Sequence, residues 1–216
     1  MRKITCNLSE TFAFRSYKWA SSLLLTLSLA TAVTTARAED KAKEPEPPIP
    51  VQDHQERIKI DIVRDRKNRG SYNSKTDRVS LTIKLTNQDP AKEFKDLKAI
   101  FIIIAQNLAE KKRFVALARE DFPVKLGKGT ADREMEHQTK EATTSYYDYR
   151  NYETGDQYDG WAIALVNADG KIVAYKASNE SYEQNIGKID NIKAQSWFDL
   201  HFDPVERAYS SNQPTP

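Results

Sequence analysis

The segment over residues 160–176 constrains the fold more than any other. Gly160-Trp161-Ala162-Ile163-Ala164-Leu165-Val166 and Lys171-Ile172-Val173-Ala174-Tyr175-Lys176 are two apolar runs joined by Asn167-Ala168-Asp169-Gly170. A connector ending in Asp-Gly supplies the positive φ that a tight hairpin or its bulge needs. The spacing predicts a β-hairpin. Trp161, Ile163 and Leu165 alternate on one face of its first strand; Ile172, Ala174 and Lys176 alternate on the second.

Other stretches carry the same period. Ile58, Ile60 and Ile62 alternate with Arg57, Lys59 and Asp61, which predicts a strand packed on one side only. Residues 64–76 are polar, contain Gly70 and read as a loop. Val79, Leu81, Ile83 and Leu85 then face away from Ser80, Thr82, Lys84 and Thr86, until Pro90 ends the pairing. Residues 100–105 are continuously apolar, as in a strand covered on both faces or a buried helix segment. Four isoleucines in that run favour the strand. Residues 113–118 form a fourth strand, continued by Phe122, Val124 and Leu126 past Pro123, a residue that marks an edge or a crossing.

Residues 133–144 alternate polar side chains and read as an exposed edge strand protected by Arg133, Glu134, Glu136, Lys140 and Glu141. A helix competes there, because Glu, Met and Lys are good helix formers. Residues 145–159 are a polar, tyrosine-rich segment. Ser181 and Gln184 suit a capping box opening a short C-terminal helix, with Tyr182, Ile186 and Ile189 on one face. Residues 197–202 are a last strand or a strap over the core.

The amino terminus is read apart from the fold. Arg2, Lys3, Arg15 and Lys18 precede an apolar run over residues 20–33, and Ala36-Arg37-Ala38 follows. A basic leader, a short apolar run and a small-x-small site make residues 1–38 a secretory signal peptide, cut after Ala38. The alternative is an uncleaved anchor, although a spanning helix needs about 20 apolar residues. Cys6, the one cysteine, lies in the leader, so the mature chain cannot form a disulfide. An exported domain without disulfides favours a bacterial envelope protein. The leader carries five bases and one acid, so the formal +2 of the whole chain becomes −2 from Glu39 onward. That balance gives no support for nucleic-acid binding. Residues 39–55, with Pro45, Pro47, Pro48 and Pro50, read as an extended linker, residues 56–205 as the domain, and residues 206–216 as a disordered tail.

About seven strands and one short helix make the fold all-β, a two-sheet antiparallel β-sandwich. The two-sided strand at residues 100–105 and the hairpin at 161–175 resemble immunoglobulin-like or fibronectin-type-III-like domains of exported bacterial proteins. The resemblance covers residues 58–177 and departs from antibody-type domains in lacking both cysteines. It implies binding or scaffolding, since such folds host many functions.

No catalytic or cofactor motif stands out. His54, His137 and His201 have no second ligand at metal-site spacing, so no metal is assigned. Asp148, Glu153, Asp156 and Asp159 lack the Asp-x-Asp-x-Asp-Gly order of a calcium loop. No Gly-x-Ser-x-Gly turn and no mature cysteine offer a nucleophile, and Gly127-Lys128-Gly129-Thr130 lacks the rest of a phosphate loop. The candidate binding surface is Tyr146, Tyr147, Tyr149, Tyr152, Tyr158 and Trp161, because rings stack on sugars and anchor interfaces while their polar tips tolerate water. The expected role is non-enzymatic and cofactor-free: contact with an envelope or surface protein through the edge strand or the tyrosine segment. The alternative is a carbohydrate-binding module using Tyr147, Tyr149 and Tyr152. A small envelope hydrolase is a third reading, since paired acids need only meet in space.

Overall fold

A computed structural model describes residues 47–70, 74–149 and 152–206, with residues 148, 149 and 152 described by backbone alone. The signal peptide, Cys6, linker residues 39–46 and tail residues 207–216 lie outside the described residues. The described chain is all-β. Its strands are β1 (Ile58–Gly70), β2 (Ser74–Asn87), β3 (Phe94–Asn107), β4 (Arg113–Leu126), β5 (Glu134–Gln138), β6 (Ala142–Tyr149), β7 (Tyr152–Val166), β8 (Ile172–Ala177) and β9 (Trp197–Asp199). One short helix, α1 (Glu180–Gln184), runs into a 3-10 turn at Ile186–Asn191. All nine strands join one sheet in the order β1-β2-β6-β7-β3-β4-β9, with β5 added to β2 and β8 to β7. Every pairing between named strands is antiparallel.

Strand β7 links the two halves of this path. Its first residues pair with β6 as far as Gly155, and residues 156–166 pair with β3. Gly155 sits at φ +95, and a Cβ there would lie 2.5 Å from the Ser145 carbonyl oxygen, so only glycine allows the strand to change partner here.

Two apolar clusters follow from strand alternation. Ile58, Ile60, Val79, Leu81, Ile83 and Leu85 from β1 and β2 share one cluster with Phe101, Ile103, Val124, Ile163 and Leu165 from β3, β4 and β7. The other face of β3, Ile100, Ile102 and Ile104, packs with Phe114, Ala162, Tyr182, Ile186, Ile189, Phe198 and Phe202. The isoleucine run is thus covered on both faces. Each such fully buried side chain contributes about 1.5–3 kcal/mol relative to exposure.

Several expectations change. Within the loop read at residues 64–76, the described residues 64–70 and 74–76 are strand: β1 continues to Gly70 and each of its residues pairs with β2, down to Gly70 opposite Lys75. Its polar side chains carry no apolar alternation, yet the backbone ladder holds them. The single edge strand at 133–144 is two strands. β5 lies opposite Thr82–Thr86, while β6 lies between β2 and β7. Thr139 bridges the break, its N–H donating to the Leu81 carbonyl and its Oγ1 accepting from the Leu81 N–H, both at 2.9 Å. In the hairpin, Gly170 takes φ +75 as the turn requires. A register shift between Leu165 and Val166, however, sends Ile172 to the second cluster, away from Ala174. The helix is capped by Asn179, whose Oδ1 accepts from the Tyr182 N–H at 3.0 Å; Ser181 lies inside the first turn. Part of the linker is bound as well. Val51 bridges Ile172, the Ile172 N–H donates to the Pro50 carbonyl at 3.0 Å, and the Glu56 N–H donates to the Val173 carbonyl at 2.7 Å.

Arg119 fastens the 3-10 turn to β4. Nη1 donates to the carbonyls of Asp190 and Ile192 at 2.7 Å each, and Nε and Nη2 reach Asp121 at 2.9 and 3.1 Å. Burial alone would lift the Asp121 carboxyl, but hydrogen bonds from Arg119 and Lys98 hold it below its ordinary value.

Candidate functional site

Register places Ile58, Ile60, Ile62, Arg64, Arg66 and Asn68 in one row along β1, opposite Asn87, Leu85, Ile83, Leu81, Val79 and Asp77 of β2. The row changes from apolar to charged where the first cluster ends. Asp77 is fully buried, and Arg66 Nη2 donates to its Oδ2 at 2.5 Å. Among the described residues, Asp77 Oδ1 and Arg66 Nε find no hydrogen-bond partner. They are the two atoms a side-on fork would join, so the pair is a fork held by one arm.

The guanidinium groups of Arg64 and Arg66 lie 5.6 and 5.9 Å from the Tyr158 ring centre. Burial raises the Tyr158 hydroxyl above its ordinary value, against the pull of Arg64 and Arg66. Lys75 stands 5.7 Å from the Tyr146 ring centre.

The four aromatic candidates with described side chains, Tyr146, Tyr147, Tyr158 and Trp161, do not share one exposed face. They read as a polar segment, but they lie on two paired strands, where neighbours point to opposite faces. Tyr146 is therefore buried while Tyr147 stands 55% exposed. Tyr158 is buried beneath the arginines, and Trp161 packs partly buried on the first cluster. Tyr149 and Tyr152 are register partners at the end of the β6–β7 pair. Two acids of this segment serve as internal acceptors: Asp156 Oδ1 accepts from Asn107 Nδ2 at 3.0 Å, and Asp159 accepts from the buried Tyr182 hydroxyl.

The edge of β1 is what sequence reasoning missed. β2 occupies one side of the strand. The Arg57 carbonyl accepts from the Gln88 N–H on that side, whereas the Ile60 carbonyl accepts from Lys176 Nζ at 2.7 Å on the other. Alternation then turns the peptide groups of Ile62, Arg64, Arg66 and Asn68 outward. Among the described residues nothing bonds to them. Val63 on this stretch is 66% exposed. The absence of apolar alternation in residues 64–70, which suggested a loop, hid a long strand with an open side.

His137 stacks on Phe122 with ring centres 3.9 Å apart, and its Nε2 lies 2.8 Å from Glu120 Oε2. Among the described residues no cluster of three His, Cys, Asp or Glu side chains could hold a metal ion, and no helix is long and apolar enough to cross a membrane. An open, shallow depression lies beside Lys98, Asp121, Phe122 and Asn167.

No protein-family model matches the chain, and no curated protein does. Among solved structures, a crystal structure from Akkermansia muciniphila is similar to 57% of this chain and 72% of its own, at 15% identity and a TM-score of 0.22. A likeness that weak carries no argument about fold or function.

Proposed function

We propose that this chain is an exported, non-enzymatic β-sandwich module that joins proteins in a bacterial envelope, with residues 1–38 removed as a signal peptide. In this reading the sheet folds over the cluster shared by β1–β2 and β3–β4–β7, the immunoglobulin-like arrangement that the strand pattern suggests. The observation that carries the role is the open side of β1, whose outward peptide groups suit pairing with another chain. An edge left long and open is a liability unless something uses or protects it.

The test is crosslinking of the tagged protein in its native cells, with mass spectrometry of the crosslinks and of the mature terminus. The reading expects a defined protein partner and a terminus near Glu39. A chain crosslinked to no protein sinks it. A second reading, glycan binding, draws on the exposed Tyr147 and the Tyr149–Tyr152 register pair. Replacing these three with Ala would then abolish retention on a glycan gel without unfolding the domain; unchanged retention rejects it.

A further inference from the structure

We infer that the open side of β1 takes an acidic extended strand from a partner protein, with two carboxylates that meet Arg64 and Arg69. This rests on the envelope-interaction reading and names the partner's chemistry. Residues 62–70 carry four bases, Arg64, Arg66, Lys67 and Arg69, against one acid, Asp65. Two of the bases already meet a carboxylate, and Arg64 lies 5.6 Å from the Tyr158 ring centre. Arg66 holds Asp77 at 2.5 Å, and Lys67 stands 3.6 Å from Asp65. Arg64 and Arg69 have no carboxylate partner among the described residues. Both are exposed.

The spacing of these two sets the motif. Arg64 falls in the row of Leu81 and Val79, and Arg69, an odd number of residues away, on the opposite face. A strand hydrogen-bonded to β1 places its side chains on the faces of the residues they oppose. The incoming strand therefore needs one acid on each face, five positions apart. Its backbone meets the outward groups of Ile62, Arg64, Arg66 and Asn68. A second copy of β1 is a poor occupant. Self-pairing would set four bases and one acid against the same set, and like charges across a strand pair repel.

The probe is the peptide Thr-Glu-Thr-Val-Thr-Val-Glu-Thr, titrated into the full chain and followed by peptide fluorescence anisotropy and amide hydrogen exchange. The controls are its Lys-for-Glu counterpart and a form N-methylated at alternate amides. Expected results are saturable binding of the acidic peptide, new protection at Ile62, Arg64, Arg66 and Asn68, and about tenfold weaker binding by R64E/R69E, by the Lys peptide and by the N-methylated form. R69E alone guards against misfolding, because Arg69 is exposed, and it is expected to weaken binding in the same direction. No binding, equal binding of the acidic and basic peptides, full affinity after methylation, or protection elsewhere overturns the inference. Crosslinks to a partner through another strand would do the same while leaving the envelope role standing. Peptide binding in a chain that crosslinks to no protein in cells would instead remove the envelope role.

Discussion

At the residue scale, the Arg66–Asp77 pair shows how this chain ends its core. Val79 and Leu81 continue the apolar row, and one step on a fully buried carboxylate takes the position. Removing one partner of such a pair leaves the other charge without its partner, which costs more than the pair contributes. Asp77→Ala should lower stability by about 3 kcal/mol, and the double variant Arg66→Leu/Asp77→Leu should recover most of it. Urea unfolding of the three proteins measures both. A D77A protein as stable as the parent would show that the pair is not held as described.

Tyr182 gives a pH prediction. It is fully buried, edge-on to Phe114 at 5.9 Å and stacked with Phe202 at 5.7 Å, and its hydroxyl donates to Asp159. Burial first, then the hydrogen bond to Asp159 and the charge of that carboxylate, push its ionisation far above the ordinary value of 10.0. The unfolded chain then releases this proton at a lower pH than the folded one. The stabilisation is fully present below pH 10 and is lost as pH rises beyond it, because the folded state keeps a proton that the unfolded state gives up. Urea midpoints between about pH 8 and 11 should fall, and Tyr182→Phe should flatten that fall.

At the scale of elements, the C-terminal cover of β3 hangs on two polar devices. Asn179 caps α1 through the Tyr182 N–H, and Asn179→Ala should cost about 1 kcal/mol in thermal or urea unfolding. Arg119 serves two carbonyls and two carboxylates at once, a pattern that fits a planar fork and not an ammonium. Arg119→Lys should cost about 2 kcal/mol and speed amide exchange of Ile192, whose N–H bonds within the turn at 3.2 Å. Unchanged exchange in R119K would mean that the apolar contacts of Ile186 and Ile189 suffice.

Legibility at this scale followed the apolar alternation. Val79 to Leu85 and Ile100 to Ala105 announced themselves, and the structure buries both. Residues 64–70 did not, because a ladder of backbone bonds to β2 leaves no trace in side-chain hydropathy. The candidate tyrosines were visible as a cluster in sequence. Their division into buried Tyr146 and exposed Tyr147 depends on which side of β6 the core lies, which only the pairing with β2 fixes.

At the scale of the whole molecule, backbone bonds tie residues ahead of the first apolar strand to the sheet. Residues 49–56 run beside β8, with Pro50 and Val51 at Ile172 and Glu56 at Val173. A chain starting at Arg57 loses these bonds and bares the edge of β8. It should melt about 5 °C below a chain starting at Pro47 and aggregate more readily on heating, as differential scanning calorimetry would read. Equal melting temperatures would return residues 47–56 to a plain linker.

The sequence by itself determined the all-β character, the hairpin at Asn167–Gly170 and the two-sided strand at residues 100–105. Each of these is a local property: a period of two, a turn residue free to take positive φ, or a run too apolar to face water. Tertiary structure alone decided the rest. It decided that β7 changes partner at Gly155, that Asp77 is buried against Arg66, and that β1 from Ile62 to Asn68 pairs on one side only among the described residues. These are facts about which strand lies next to which. Hydrogen-bonded neighbours are chosen by backbone register across tens of residues, and no side-chain pattern within one segment records that choice.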